Sequence, residues 1–433
     1  MASTAQTPPP HAVARARCLR TSKPPGGISV FAVRPPIEPD PNSRGPADGE
    51  ALERMTWPDV AKGACILLVV LWHVIMKHYL QIDWHLPIPV PGAWGTVTEQ
   101  LLPLRMPLFF TISGMFAIGA VNRPWRVLGR SKVAGFLYLY VLWLLIHTVL
   151  LALVPDFDTA RADGPLGLLA QLTITPSNLW YLYALALYFA IAKVVRRLPA
   201  GLVVGAAFIL SAAASAGLLE MPGDRGGVYK NLVFFLAGMY FRPIVERLAA
   251  VANRPRLAVL GVSYIGILAA MAVTGADTWP GVWPLACVLA AVLGVTAAVL
   301  VSRWVWLGNR LAALGRGTLP IYVMHMPLLA LLHRALVPLL SVDMDGRLRL
   351  VLAVVEPVIL SAVVVWLCRL LYRALVKMRA GWLFELPWAK ARDSRTPPFP
   401  VSLMKNDAGC EAMTPDDKTC SVSDGTATEQ SRF

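Results

Sequence analysis

Long apolar runs alternate with short polar segments between residues 56 and 378. Ten such runs are present, and each approaches or exceeds the length that a helix needs to cross a bilayer. They lie at residues 57–78, 99–120, 133–154, 177–195, 200–219, 229–245, 256–274, 281–302, 316–337 and 349–376. The pattern therefore predicts an all-α fold, a polytopic membrane helix bundle of about ten transmembrane helices.

Basic residues collect in every second connection between these runs. Arg123, Lys193, Arg242 and Arg303 follow the second, fourth, sixth and eighth runs, whereas the intervening loops are rich in Asp and Glu. The loop after the ninth run, which contains Arg347, fits this alternation less well. Because loops rich in Lys and Arg face the cytoplasm, we expect both termini to be cytoplasmic.

The composition agrees with a protein that lives in the lipid bilayer. The chain has 433 residues, of which 56% are hydrophobic and 15% charged, and its mean hydropathy is +0.57. A soluble domain is rarely so apolar, and we expect an integral membrane protein of a bacterial plasma membrane. The formal net charge of +14 comes largely from the basic loops, so it indicates topology and no nucleic-acid partner. The six cysteines show no metal-ligand spacing, so no metal site is predicted.

The two ends of the chain differ from the apolar region. Residues 1–55 are rich in Pro, Ala, Gly and Arg, and residues 379–433 become polar. Such compositions predict disordered cytoplasmic segments on either side of a membrane domain at residues 56–378. Met55 stands directly before this domain, which suggests the hypothesis that it is the native initiator.

The first apolar run contains ionisable residues that a membrane normally excludes. Asp59, Lys62 and His73 lie in it, and Lys62 and His73 are eleven residues apart. That spacing is about three helical turns, or roughly 16 Å, so the two side chains leave the same face. Ionisable groups inside a span cost roughly 2.5 to 3.5 kcal/mol on insertion scales and often mark function. The alternative is structural: an interhelical hydrogen bond from His73 and a Lys62 that reaches to the interface.

Three further polar residues lie within later runs. Arg105 is in the second run, and a guanidinium there needs a carboxylate, a phosphate or a substrate oxygen as its partner. His325 lies in the ninth run, three residues after Tyr322 on one helix face. His147 lies in the third run, and for this histidine we favour a helix-to-helix hydrogen bond over a catalytic role.

Five short motifs lie along the apolar region, over about residues 56–378. They are Asp59-x-x-Lys62-Gly63 with His73, Met106-Pro107-Leu108-Phe109-Phe110-x-x-Ser113-Gly114, Leu179-Trp180-Tyr181-Leu182, Phe234-Phe235-x-x-Gly238 and Gly315-x-x-Thr318-x-x-x-Tyr322-x-x-His325. In this order the series resembles the acyltransferase-3 family of integral membrane acyltransferases, most closely its branch of fucose 4-O-acetylases and membrane-glucan modifying enzymes. The resemblance implies transfer of an acyl group, commonly acetyl from acetyl-CoA, to a hydroxyl of a sugar, glycan or glycolipid. It also implies that Lys62 and His73 are a functional pair, although many members have Arg at the position of Lys62.

These expectations assign a role to each candidate residue. His73 is the expected general base, because imidazole titrates near neutral pH and can take the proton of the attacking hydroxyl. Lys62 and Arg316 are the expected cations for the phosphates of CoA. Lys62, Arg105 and His325 complete the expected catalytic set, with Arg105 steadying the acceptor or the developing oxyanion.

Three alternatives stay open at this point. An acyl-histidine intermediate on His73 would be a rival route for the same transfer. A proton-coupled transporter or exporter of a glycan or lipid-linked substrate would use paired histidines and cations as a proton relay. A structural scaffold would need no chemistry at all. Turnover of acyl-CoA by the purified protein separates an acyltransferase, by either route, from a transporter or a scaffold.

Overall fold

The described part of the chain is helical throughout. The computed structural model describes residues 55–86, 89–160, 162, 164–175, 177–219, 226–342 and 344–386. Within these ranges there are sixteen α-helices and no β-strand. The helices are α1 Trp57–Lys77, α2 Val90–Gln100, α3 Leu102–Met115, α4 Ile118–Asn122, α5 Trp125–Leu128, α6 Ala134–Ala152, α7 Pro165–Thr173, α8 Trp180–Val195, α9 Ala200–Ser215, α10 Gly226–Tyr240, α11 Arg242–Ala250, α12 Arg254–Thr274, α13 Val282–Ser302, α14 Val305–Gly315, α15 Thr318–Leu340 and α16 Gly346–Lys377.

Each of the ten predicted apolar runs coincides with helix. In the described residues, six helical segments are long and apolar enough to cross a membrane: Trp57–Gln81, Trp125–Ala152, Arg254–Thr274, Val282–Ser302, Thr318–Leu340 and Gly346–Lys377. The other four predicted runs correspond to the shorter helices α3, α8, α9 and α10. The run at 99–120 is divided because the chain leaves helical geometry at Phe116. The all-helical membrane fold is confirmed, while the number of ten spans and the cytoplasmic termini stay predictions.

Helix α1 occupies the middle of the bundle. It packs against α3, α13, α14, α15 and α16. In its most apolar stretch 61% of the residues are buried, against 11% in α12. A membrane helix with so much protein contact can carry polar side chains, because they face neighbouring helices rather than lipid. The ionisable residues of the first run are therefore presented to the protein interior.

Two helix pairs cross so closely that only glycine fits at the crossing points. Gly63 of α1 faces Gly315 of α14, and a Cβ on either one would overlap a carbonyl oxygen of the other helix. Gly114 of α3 and Gly238 of α10 meet in the same reciprocal way. Small residues let membrane helices approach through their backbones. All four glycines belong to the motifs noted above, so these motif positions are explained by packing.

The chain continues in packed structure beyond the end of α16. The Trp143 indole donates a hydrogen bond of 2.7 Å to the Leu383 carbonyl, and the Tyr138 hydroxyl donates one of 3.1 Å to the Trp382 carbonyl. Phe384 is only 3% exposed. The predicted boundary at 379 therefore falls within a turn that packs on α6. The remainder of the predicted tail, and residues 1–54 of the predicted N-terminal segment at residues 1–55, lie outside the described residues.

Candidate active site

Two predicted catalytic histidines meet between α1 and α15. His325 Nε2 lies 3.3 Å from His73 Nδ1, and the ring centroids are 4.8 Å apart. His325 is 1% exposed, whereas His73 is only partly buried. The pair therefore has one ring sealed in the protein and one ring that is partly exposed.

The backbone around the two rings assigns their neutral tautomers. His325 Nδ1 lies 2.7 Å from the Tyr322 carbonyl oxygen, and His73 Nδ1 lies 2.8 Å from that of Val69. Because a carbonyl only accepts hydrogen bonds, each Nδ1 carries the hydrogen. His325 Nε2 is then an acceptor for the His73 Nδ1–H, which it shares with the Val69 carbonyl. The unprotonated nitrogen of His73 is therefore Nε2, which is the atom a general base requires.

Arg105 adds a buried cation beside this pair. Its guanidinium carbon lies 4.6 Å from the centroid of the Trp72 ring, and the Trp72 and His73 rings meet edge to face at 4.7 Å. Arg105 is 5% exposed, and its guanidinium makes no hydrogen bond or ion pair within the part of the chain that the structure describes. Stacking on Trp72 stabilises the charge without consuming its N–H donors. Those donors remain free for a substrate oxygen.

The other predicted cations lie toward the opposite end of α1. Lys62 is 6% exposed, and its Nζ lies 5.3 Å from the centroid of the Phe116 ring. The Arg242 guanidinium lies 5.8 Å from the same ring. Arg316 Nη1 is 3.8 Å from Asp59 Oδ2. The predicted site residues thus form two groups, with His73, Arg105 and His325 in one and Lys62 and Arg316 in the other.

His147 and Tyr322 make structural links between helices. His147 Nε2 lies 2.7 Å from the Val323 carbonyl oxygen, so it donates a hydrogen bond from α6 to α15 as expected. The Tyr322 hydroxyl donates to the Asn178 carbonyl at 3.0 Å and accepts from the Tyr181 amide at 3.2 Å. These bonds anchor α15 to α6 and to the start of α8, and thereby fix the helix that presents His325.

A second group of ionisable residues was missed in the sequence. His78 Nδ1 lies 2.9 Å from His333 Nδ1, and His78 Nε2 lies 3.1 Å from Glu356 Oε1. The signal was present, because Glu356 interrupts the apolar run of α16 and an acidic residue within a span is rare. Over the described residues, no group of three or more His, Cys, Asp or Glu side chains is arranged to hold a metal ion.

The long apolar helices are those of an integral membrane protein, and the histidine pair and the buried Arg105 lie among them. Comparison with known proteins gives its family: the sequence model of the acyltransferase-3 family, described as an acyltransferase domain, matches residues 55–373. The chain belongs to that family.

One relative in the comparison is the inner membrane protein YcfT of Escherichia coli (strain K12). It is 26% identical over 204 residues, which are 44% of this chain and 57% of the relative. The chain thus matches little more than half of that relative's length. No solved structure matches. The family and the inner-membrane relative support an integral membrane protein of the plasma membrane.

Proposed function

We propose that the protein is an O-acyltransferase that moves an acyl group from acyl-CoA to a hydroxyl of a sugar, glycan or glycolipid. Acetyl-CoA is the expected donor. The observation that carries this proposal is the geometry of His73. Its Nδ1 contacts the Val69 carbonyl and His325, which leaves Nε2 as the unprotonated nitrogen, and its ring meets the Trp72 indole on which Arg105 stacks. Family membership supports the reaction class.

The geometry suits direct transfer through His73. The acceptor hydroxyl gives its proton to His73 Nε2 while its oxygen attacks the thioester carbonyl carbon. The imidazolium that forms keeps its Nδ1–H on the Val69 carbonyl and on His325 Nε2, which stabilise the charge. Arg105 donates hydrogen bonds to the oxyanion of the tetrahedral intermediate. When the carbon–sulfur bond breaks, His73 Nε2–H returns the proton to the thiolate, which leaves the ester and free CoA.

The second group of residues suits the phosphates of the donor. Lys62, Arg316 and Arg242 lie at the Asp59 end of α1, where Asp59 and Glu246, the latter 2.7 Å from Arg242, balance part of their positive charge. Lys62 and His73 are about 16 Å apart along the helix, a length of the order of an extended phosphopantetheine arm. Phosphates held at Lys62 would therefore place the thioester near His73. By the charge of the loops this end is expected to face the cytoplasm, where acyl-CoA is made.

Turnover of acetyl-CoA by the purified protein in detergent or liposomes tests the proposal. His73→Asn keeps a polar side chain but removes the base, so kcat should fall by about 10² to 10⁴. His85→Asn is the matched control, because His85 is exposed and its φ of 42° is one that Asn tolerates. Lys62→Ala should instead raise the KM for the donor, with much of the rate recovered at saturation.

A proton-coupled transporter is the second candidate function. Two histidine pairs inside the bundle, at His73–His325 and His78–His333, are also what a proton relay would use. A transporter consumes no thioester. Two results together would favour the transporter and refute the acyltransferase. The first is no release of CoA from acetyl-CoA over a panel of sugar and glycolipid acceptors, and the second is a proton flux in liposomes that is lost in His73→Asn.

A further inference from the structure

His78, His333 and Glu356 form a second polar group, which we call the histidine–glutamate cluster. Each residue comes from a different element: His78 caps the C-terminus of α1, His333 lies in α15 and Glu356 lies in α16. His78 is fully buried, Glu356 is 8% exposed, and His333 is partly buried. The cluster therefore joins three helices at the end of α1 remote from Lys62.

The contact between the two rings depends on a single proton. The two Nδ1 atoms are 2.9 Å apart, so one must carry a hydrogen and the other must accept it. Glu356 Oε1 lies 3.1 Å from the other nitrogen of His78, within ion-pair distance of that ring when it is protonated. If both rings carried a proton on Nδ1, two N–H groups would stand face to face. The contact would then be lost.

The charged groups around the histidine–glutamate cluster leave this pairing intact. Tyr79 donates its hydroxyl hydrogen to the Ala353 carbonyl at 2.6 Å and lies near Glu356. At the surface, Lys77 pairs with Asp158 at 2.8 Å, Arg334 donates to the Leu153 carbonyl at 2.8 Å, and Asp156 is an exposed carboxylate that interacts electrostatically with His333. No fixed cation pairs with Glu356 among the described residues, so its partner is His78.

The helices tied together by the histidine–glutamate cluster are those that carry the catalytic pair. His73 precedes His78 by five residues on α1, and His325 precedes His333 by eight residues on α15. The 3.3 Å contact between His73 and His325 depends on the alignment of these two helices. A shift of about 1 Å at a reacting group can lower a rate by as much as 10²-fold. The distant contact is therefore placed to control the catalytic geometry.

We propose that His78, His333 and Glu356 are positioning residues that hold α1 and α15 in register, and that protonation of both rings releases this hold. This role rests on the acyl transfer proposed above and deepens it by adding a pH-dependent control outside the reacting atoms. At neutral pH the cluster keeps His73 against His325. In acid, the loss of the His78–His333 contact lowers kcat in addition to the direct protonation of His73.

Two substitutions at His333 test this role by their pH profiles. His333→Asn offers His78 Nδ1 either a donor or an acceptor and does not titrate, so kcat near neutral pH should stay within about threefold of the wild type. His333→Leu removes the contact and should lower kcat by about 10- to 100-fold with little change in the donor KM. Below neutral pH, log kcat should fall about twice as steeply in the wild type as in His333→Asn, because one of two protonations is gone.

The outcomes separate this role from the proposed function. An inactive wild type would refute the acyltransferase itself. An active wild type whose acid limb is unchanged in His333→Asn would refute the positioning role alone, as would a His333→Leu variant with normal kcat. If His333→Leu fails to fold, the pH dependence of kcat in His333→Asn still tests the positioning role. His85→Asn serves as the control for loss of an exposed histidine, and its profile should match that of the wild type.

Discussion

The close crossing of α1 and α14 gives a prediction whose size follows from the structure. In Gly63→Ala the new Cβ would overlap the Leu311 carbonyl oxygen and lie 2.8 Å from the Leu311 carbonyl carbon, whereas ordinary contact begins at 3.4 Å. The two helices would have to separate by at least several tenths of an ångström. The Leu311 carbonyl oxygen and carbon are backbone atoms of a regular helix, so no side chain can turn away to relieve the overlap.

The expected loss of stability is about 1 to 3 kcal/mol, the usual range for overpacking a well-packed interior. Gly261→Ala is the matched control, since Gly261 lies within α12 and a Cβ there meets nothing within 4 Å. Both substitutions gain the same helix propensity, so their difference isolates the steric term. Unfolding of the purified variants in mixed micelles, followed by tryptophan fluorescence, measures that difference.

A double-mutant cycle makes the prediction sharper. Gly63 and Gly315 occupy the same crossing, so a first methyl group that separates the helices makes room for the second. Gly63→Ala with Gly315→Ala should therefore cost clearly less than the sum of the single changes. Gly63→Ala with Gly238→Ala, at a different crossing, should add to within about 0.5 kcal/mol. Equal stability of Gly63→Ala and Gly261→Ala, or additivity in both cycles, would refute the reasoning.

Three further predictions concern orientation, the C-terminal turn and Arg105. In a variant without the cysteines of the terminal segments, a cysteine at exposed Asp83 should react with an impermeant thiol reagent on intact cells and one at exposed Arg254 should not; the reverse labelling would invert the topology. Deleting residues 390–433 should leave unfolding unchanged, whereas Phe384→Ala should lower stability by about 3 kcal/mol because the ring is buried; equal stability of the two variants would contradict the packed turn. Arg105→Lys should lower kcat by about 10²-fold, since lysine loses the planar fork, and normal kcat would remove Arg105 from the site.

The sequence alone could predict which segments are helical and which polar residues lie inside them. The helical segments follow from the positions and lengths of the apolar runs. The polar residues inside them follow directly, because a charged residue stands out within an apolar run. The number of spans is harder to predict. The run at 99–120 contains α3, which ends at Met115, and a hydropathy pattern does not show that break.

The sequence alone could not predict which residues of different helices contact each other. His73 and His325 are 252 residues apart, and their contact depends on how α1 packs against α15. The resemblance to a family paired His73 with Lys62 and placed His325 in a separate motif, so the contact between the two histidines came from the structure. Their tautomers likewise required the Val69 and Tyr322 carbonyls. Glu356 was overlooked for a related reason. Its importance comes from the two histidines that α1 and α15 bring beside α16.

The hydrogen-bonded state of His73 also constrains the order of kinetic events. Since Nδ1–H is held by the Val69 carbonyl and His325, only Nε2 can accept a proton from the acceptor and only Nε2 can return it to the thiolate. Both oxygen and sulfur must then come within hydrogen-bonding reach of one atom during a single turnover. Donor and acceptor therefore have to be bound together, which predicts intersecting initial-rate lines. Parallel lines would instead signal an acyl group carried on that nitrogen between two separate half-reactions.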